Sequence, residues 1–296
     1  MKRILALVSL LIIAIGSIYL AQRHHRHDVV SSNAVLDAGA EWQRDLSRAP
    51  LHYTRISDDQ EIAIGNELAR QYLSVRPPLD ARGIAMEQYV ATVGARVAVN
   101  VHRRIPYHFH YLPDRDLINA FALPGGQIFI GEGLLNRMTS EDELAFVLGH
   151  EIEHVDHYHP AERIQMEAQL KRFNLDVVAE LASIPVSLWQ AGYSKDQEFE
   201  ADREGERLAY AAGYSPQGAI DMMECFVHLE SEYSERAGTP LHELSHVAIE
   251  GLVGYFRTHP ISSERLAQAR QIVQEDLMDT HRSKRPFRVE YEVTAP

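Results

Sequence analysis

Residues 140–156 have the sequence SEDELAFVLGHEIEHVD, which predicts one long helix with a His-Glu-x-x-His motif near its end. Ser140 followed by Glu143 is a capping-box pattern and favours a helix start. Apolar residues then recur at helical spacing, at positions 144, 147, 148 and 152. Because residues four apart share a helix face, His150 and His154 are expected to point to one place.

Two imidazoles on one helix face are a typical zinc-binding pair. Glu151 lies beside them and is placed to accept a proton from water activated by the metal. The motif alone is a weak signal, because the chain has 16 histidines and 42 acidic residues. It also occurs a second time, at His242-Glu243-Leu244-Ser245-His246.

A third ligand distinguishes the two matches. Glu198 and Asp202 are four apart in a segment of helical character downstream of the first match. Glu198 is predicted to complete the metal shell, and Asp202 to accept a hydrogen bond from a ligating imidazole. The second match has only Glu250 on its own short segment. The sequence therefore predicts one zinc ion per chain at the first match and an ordinary helix at the second.

The N-terminus indicates export. A basic start, Met1-Lys2-Arg3, precedes an uncharged and mainly apolar run from residue 4 to 21. Residues 1–22 are predicted to be a signal-anchor or a cleaved signal peptide, and residues 23–56 a flexible linker. The protein is expected at a bacterial inner membrane facing the periplasm, or free in the periplasm if the segment is cleaved.

Charge excludes one class of partner. The formal net charge is −13 and no dense basic stripe interrupts it. Nucleic acid is therefore not an expected partner, because phosphate binding needs clustered Lys and Arg.

Residues 57–296 are predicted to form one α+β domain, a mainly helical body with a small antiparallel sheet. Ser57 and Gln60 form a capping-box pattern at its start. Short strands are predicted at 107–112, 117–122 and 127–130, the last after a Pro-Gly-Gly turn. Most of residues 140–280 has a helical pattern, and residues 287–293 are expected to add a late strand.

One predicted strand is expected to bind the substrate. Gln127, Ile128, Phe129 and Ile130 are expected to border the cleft as an exposed edge that pairs with an extended peptide. The alternative is an ordinary hairpin strand. His108 and His110 alternate on another strand, and a solvated face is favoured there over a metal site.

Four motifs occur in an order that resembles the membrane-associated gluzincin metallopeptidases, which include CAAX prenyl proteases, HtpX-type proteases and Oma-type proteases. They are Asn119 to Gly126 (NAFALPGG), His150 to His154, Glu198-x-Glu200-Ala201-Asp202, and Thr258-His259-Pro260. With a single apolar segment, the chain is similar to the single-span or periplasmic branch associated with protein quality control. The resemblance implies a zincin-like fold and favours Glu198 over Glu200 as the third ligand.

The sequence allows three roles for His259. It is a candidate to stabilise the oxyanion of a tetrahedral intermediate, and the resemblance also allows a removable extra zinc ligand that keeps the enzyme latent. A lone His before Pro is otherwise a loop residue. Arg265, six residues on, is either a structural anchor or a partner near Glu198.

The expected function is zinc-dependent endopeptidase activity on proteins or peptides. The resemblance implies misfolded envelope proteins as substrates. Two rivals remain: a non-catalytic or latent zinc-binding chaperone or adaptor at the membrane, and a membrane-anchored scaffold in which the motif is accidental.

Overall fold

The computed structural model describes residues 56–171, 178–188, 192–237, 259 and 263–287. All of them lie in one unit that spans Pro50–Pro296. The predicted N-terminal segment, the second His-Glu-x-x-His match and most of the predicted late strand lie outside the described residues. Within the described part of the chain, no helix is long and apolar enough to span a membrane.

The described elements are nine helices, three strands and three short 3-10 turns. The helices are α1 Asp58–Ser74, α2 Ala81–Val97, α3 Glu132–Leu135, α4 Glu141–Asp156, α5 His159–Lys171, α6 Val178–Leu181, α7 Lys195–Ala211, α8 Gln217–Ala237 and α9 Ser263–Glu275. The strands are β1 His108–Leu112, β2 Ala120–Leu123 and β3 Gln127–Gly131. The α+β class and its mainly helical body are confirmed.

Local signals account for the first two helices. The capping box at the start of α1 is confirmed: Ser57 Oγ accepts from the Gln60 backbone N–H, and Gln60 accepts from the Ser57 N–H at 3.0 Å. Asp80 caps α2 by accepting from the Gly83 N–H at 2.7 Å. The valines of α2 at helical spacing, at positions 90, 93 and 97, are buried in the main core.

The sheet has the order β1-β3-β2, so the prediction of an antiparallel sheet is only half right. β2 and β3 form an antiparallel hairpin, with Phe121 opposite Phe129. β1 pairs with β3 in parallel, with Phe109 opposite Ile128. The hairpin partner follows from the short Pro-Gly-Gly turn, whereas the pairing of β1 with β3 crosses a longer connection that no local pattern specifies.

The prediction that Gln127, Ile128, Phe129 and Ile130 form an exposed edge is wrong. These residues belong to β3, which is the central strand and is paired on both sides. Ile128 and Ile130 face the main core, and Phe129 faces a second core beneath α1 and α5. The physical reason is that a strand covered on both faces and both sides has no free backbone groups to offer a peptide. Among the described residues, the strand beside α4 with one side unpaired is β2.

The predicted face of histidines on β1 is also only partly solvated. His108 is exposed, but His110 lies against Phe129 with ring centroids 4.5 Å apart, and its Nε2 lies 2.7 Å from Gln127 Oε1. Burial lowers the pKa of His110.

Helix α4 lies at the centre of the domain, and every one of its residues is buried. The four apolar positions predicted to be buried, 144, 147, 148 and 152, are buried, and so is the rest of the helix, because α2, α7, α8 and β2 all pack against it. Ser140 caps it as predicted, but Glu143 accepts from the Thr139 N–H at 3.0 Å. The reverse arm of the predicted capping box therefore reaches one residue further back.

Two glycines allow α4 and α7 to cross at backbone contact. A Cβ on Gly149 would lie 2.6 Å from the Gly205 carbonyl oxygen, and a Cβ on Gly205 would lie 2.6 Å from the His150 nitrogen. Both distances are shorter than any ordinary carbon contact. This close crossing places the acidic face of α7 directly against the two histidines of α4.

Candidate metal centre

Helix α4 brings the two motif histidines together. His150 and His154 are one turn apart, and their Nε2 atoms are separated by 3.0 Å. Both side chains are almost fully buried. The predicted sharing of one helix face is what places both nitrogens at one point.

Helix α7 adds the carboxylate. It begins with a capping box between Ser194 and Gln197, and Glu198 follows directly in the first turn. The two carboxylate oxygens of Glu198 lie 3.6 Å from His150 Nε2 and from His154 Nε2, one each. The sequence prediction preferred Glu198 to Glu200, and Glu200 lies outside this cluster.

His259 joins the same cluster. Its Nδ1 lies 3.1 Å from His150 Nε2 and 3.1 Å from both oxygens of Glu198. In the described part of the chain, His150, His154, Glu198 and His259 are the one group whose ligand atoms all lie within 4.8 Å of one another, and all four are buried.

The donor set fits a cation. His150 Nδ1 lies 2.9 Å from Asp202 Oδ1 and His154 Nδ1 lies 2.8 Å from His159 Nδ1. When those nitrogens carry the protons, both Nε2 atoms present lone pairs to each other at 3.0 Å and to a buried carboxylate. Such an arrangement is repulsive without a positive charge, and imidazole nitrogen and carboxylate oxygen are ligands that zinc prefers.

Asp202 and Arg265 support the cluster from the other side. Arg265 forms two contacts of 2.6 Å to the Asp202 carboxylate and one of 3.0 Å to Glu198 Oε2. Burial opposes ionisation of Asp202, but Arg265 outweighs it and lowers the pKa of Asp202 to about 2. The sequence offered two roles for Arg265, a structural anchor or a partner near Glu198. The contacts show that Arg265 fills both.

Glu151 lies at the rim of the cluster and touches His259. Its Oε1 lies 3.3 Å from His259 Nε2, while its buried Oε2 has no hydrogen-bond partner in the described structure. Burial raises the pKa of Glu151. Burial alone would lower the pKa of His259, but the carboxylates of Glu198 and Glu151 raise it overall.

Comparison with known proteins assigns the family. Residues 85–273, well over half of the chain, match the sequence model of peptidase family M48. The chain belongs to peptidase family M48. The matched range contains α4, α7, His259 and most of α9, so all the residues of the cluster fall within the region that defines the family.

Two kinds of relative are similar to this chain. The beta-barrel assembly-enhancing protease of Yersinia pestis is 32% identical over 239 residues, which cover 73% of this chain and 44% of that protein. The mitochondrial metalloendopeptidase OMA1 of Arabidopsis thaliana is 32% identical over 173 residues, which cover 55% of this chain and 31% of that protein. The chain therefore spans less than half the length of these relatives.

Membership of family M48 and the chemistry of the donor set agree on the metal. M48 metallopeptidases use zinc, and the buried His-His-Glu-His group is able to hold one such ion. Zinc is the cofactor of this chain.

Two residues beside the buried cluster of His150, His154, Glu198 and His259 were not singled out by the sequence. His159 touches His154, although five residues separate them, because α4 ends at Asp156 and Tyr158 reverses the chain with a φ of 62°. The ring of Tyr193 stacks on that of His154, with centroids 4.0 Å apart. For His159, the sequence offered one signal, a histidine just past the end of the motif helix. For Tyr193, the sequence offered no signal.

Proposed function

We propose that this chain is a zinc-dependent endopeptidase in which His150, His154 and Glu198 bind the metal and Glu151 is the catalytic base. The observation that carries the proposal is the buried group of zinc-type ligands with an unpartnered carboxylate oxygen of Glu151 at its rim. Catalytic zinc sites combine three protein ligands with an open position, and these three residues supply such a set.

The residues of the cluster have different proposed roles in peptide hydrolysis. When bound, zinc acts as a Lewis acid that polarises the scissile carbonyl and lowers the pKa of water. Glu151 takes the proton of the attacking water on Oε2 and returns it to the leaving amine. Burial raises the pKa of Glu151, and a carboxylate with a raised pKa is a stronger base toward the proton of the attacking water. Asp202 holds the His150 ring, and Arg265 holds Asp202.

His259 supports a second feature, latency. It occupies the space between Glu198 and Glu151, where attacking water and the scissile carbonyl have to lie. We propose that this arrangement is a resting state and that His259 withdraws to admit substrate. The rival function, a zinc-binding chaperone or adaptor without turnover, corresponds to a His259 that never withdraws.

The proposed substrate is an extended segment of protein. A peptide can add to β2, the strand beside α4 with one side unpaired in the described structure, through main-chain hydrogen bonds. The residues of β2 are at most 1% exposed. A peptide therefore reaches this strand only after whatever covers it moves, which fits a resting state.

The cellular setting is proposed from the sequence and from the relatives' names. Residues 1–22 are proposed as a signal-anchor or signal peptide, residues 23–56 as a linker and residues 57–296 as the peptidase domain. The apolar run and the relatives named for β-barrel assembly favour the periplasmic side of a bacterial inner membrane. Misfolded envelope proteins are the proposed substrates.

Zinc content and casein cleavage, measured side by side, test the proposal. Wild type is expected to bind one zinc per chain. Glu151→Gln should keep that zinc and lose at least about 100-fold in cleavage, because only proton transfer is removed. Glu198→Ala should lose stoichiometric zinc. Glu204→Gln on the same helix makes the same charge change away from the cluster and serves as the control.

The His259→Ala variant distinguishes two roles of His259, latency and stabilisation of the oxyanion. A rise in cleavage at unchanged zinc content supports latency, whereas a fall supports a role at the oxyanion. Tight zinc with no cleavage in wild type and in His259→Ala would leave the non-catalytic adaptor as the function. Wild type without zinc would contradict both.

A further inference from the structure

The two motif histidines are supported in different ways. His150 lies directly against a carboxylate, Asp202, which Arg265 neutralises in the interior. His154 instead lies against a second imidazole, with its Nδ1 2.8 Å from Nδ1 of His159. His159 is the first residue of α5 and is buried.

The short distance between the two Nδ1 atoms constrains the protons. His154 presents Nε2 to the metal cluster, so its Nδ1 carries the hydrogen and donates it. His159 then has to accept at Nδ1, which requires a neutral ring with its hydrogen on Nε2. The identity of one tautomer therefore depends on the other.

Glu200 completes this requirement. Its Oε2 lies 3.4 Å from His159 Nε2, in the position of an acceptor for that hydrogen. Glu200 follows Glu198 by two residues on α7. A single helix therefore supplies both a proposed zinc ligand and the carboxylate that contacts His159 behind His154. Its side chain is 47% exposed, whereas that of His159 is 3% exposed.

A second histidine holds Glu200 from its other side. His157 Nδ1 lies 3.3 Å from Glu200 Oε1, and His157 Nε2 lies 3.2 Å from Glu153 Oε2 on α4. Each carboxylate oxygen of Glu200 thus faces one imidazole, that of His157 in the turn between α4 and α5 or that of His159 at the start of α5. This double contact restrains a side chain that is otherwise half in solvent.

We propose that His159 and Glu200 are positioning residues of the zinc site. His159 holds the ring orientation and the Nδ1–H tautomer of His154, and Glu200 holds the tautomer of His159. The inference rests on the proposed function in one respect, the binding of zinc by His150, His154 and Glu198. It adds a support chain that runs from the metal to the protein surface, whereas the support of His150 ends at a buried ion pair.

The consequence is a graded dependence of zinc affinity on these residues. Loss of an outer partner of a ligating histidine typically weakens metal binding by about 10- to 100-fold. His159→Phe keeps an aromatic ring but leaves the buried His154 Nδ1–H without an acceptor, so this range is expected. His159→Gln offers an amide oxygen and should recover part of the loss. Glu200→Ala should weaken binding less than His159→Phe does.

The test is the zinc dissociation constant of the 296-residue chain in detergent, measured by competition with a chromophoric chelator. Glu204→Ala is the matched control, since Glu204 lies on the same helix and forms an ion pair with Arg207 near the surface. The control is expected to stay within about twofold of wild type. Thermal unfolding without zinc separates lost affinity from lost folding.

Nitrogen-15 NMR of the histidine rings in zinc-loaded wild type gives a readout that needs no variant. The expected pattern is Nδ1–H on His154 and Nε2–H on His159, with the His159 pattern altered in Glu200→Ala. A protonated or Nδ1–H His159 in wild type overturns the inference, as does zinc affinity unchanged in both His159→Phe and Glu200→Ala. Equal losses in His159→Phe and His159→Gln also overturn it, because packing alone then explains them.

These outcomes are distinct from failure of the proposed function. Wild type without stoichiometric zinc, or Glu198→Ala with unchanged zinc affinity, contradicts the ligand set itself. Wild type with zinc and insensitive His159 and Glu200 variants contradicts only the support chain.

Discussion

Three carboxylates on successive turns of α7 behave differently because their neighbours differ. Glu198 faces the histidine cluster, and Asp202 is paired with Arg265. Glu206, one turn further, is buried, and neither of its oxygens has a hydrogen-bond partner in the described structure. Burial, together with the nearby charge of Asp202, raises the pKa of Glu206 to about 9. Glu206 is therefore neutral in the folded protein at pH 7, and it destabilises the fold.

At the residue scale, we expect Glu206→Met to increase the free energy of unfolding by at least about 1–3 kcal/mol at pH 8, since it removes a buried polar group without partners. The folded pKa lies above the unfolded value of 4.5, so the folded state holds the proton longer. The contribution of Glu206 to stability therefore falls as pH rises from about 4.5 to about 9, by up to about 1.4 kcal/mol per pH unit.

Urea unfolding at pH 6 and pH 8 measures both effects. The loss of stability between the two pH values should be smaller in Glu206→Met than in wild type. Glu204→Met, a half-exposed position on the same helix, should retain the wild-type difference. An identical pH difference in Glu206→Met and wild type would mean that Glu206 ionises normally in the folded protein.

At the scale of elements, the crossing of α4 and α7 decides the geometry of the metal centre. Side chains of two helices normally keep their axes 8–10 Å apart. Gly149 and Gly205 remove that spacing at one point, directly beside His150. The short reach of Glu198 and Asp202 to the two imidazoles follows from this contact, since a wider crossing would leave a gap at the ligands.

Gly205→Ala is expected to destabilise the protein by about 1–3 kcal/mol, because the added methyl overlaps the His150 backbone and forces the helices apart. Zinc affinity should fall together with stability. Gly83→Ala near the start of α2 is the matched control, since the nearest atoms to its methyl would belong to the side chains of Leu79 and Asp80, at 3.0 Å or more. Thermal unfolding and zinc titration of both variants check this. A Gly205→Ala protein with wild-type stability and zinc affinity would show that the crossing tolerates a side chain.

At the scale of the whole molecule, zinc connects parts of the chain that are distant in sequence. The cluster joins α4, α7 and His259, and Arg265 of α9 adds a fourth attachment. Without a cation, the facing lone pairs of the histidines and the buried carboxylate oppose this assembly. The metal is therefore expected to stabilise the fold as well as to serve the reaction.

Removal of zinc with a chelator is expected to lower the thermal midpoint, and re-addition should restore it. Saturating zinc at about 1,000 times its dissociation constant contributes about 4 kcal/mol. Glu151→Gln should show the same increase as wild type, because its substitution leaves the ligands intact, and Glu198→Ala should show little. Differential scanning fluorimetry at pH 7.5 measures this, and a midpoint that zinc does not change would contradict a structural role for the metal.

Local features determined much of this molecule from the sequence alone. Caps and apolar periodicity are set within one or two turns, so α1, α2 and α4 and the approximate positions of the three strands were predictable. The same holds for residues one turn apart, such as His150 with His154 and Glu198 with Asp202, because the period of a helix places them on one face.

The tertiary structure alone decided the rest. The central position of β3 depends on the parallel pairing with β1, and the contacts of Asp202 with His150 and Arg265 depend on how three helices cross. His159 reaches His154 through a backbone reversal at Tyr158 that no spacing rule describes. Periodicity specifies which way a side chain points from its own element, but the group that it meets is chosen by packing between elements far apart in the sequence.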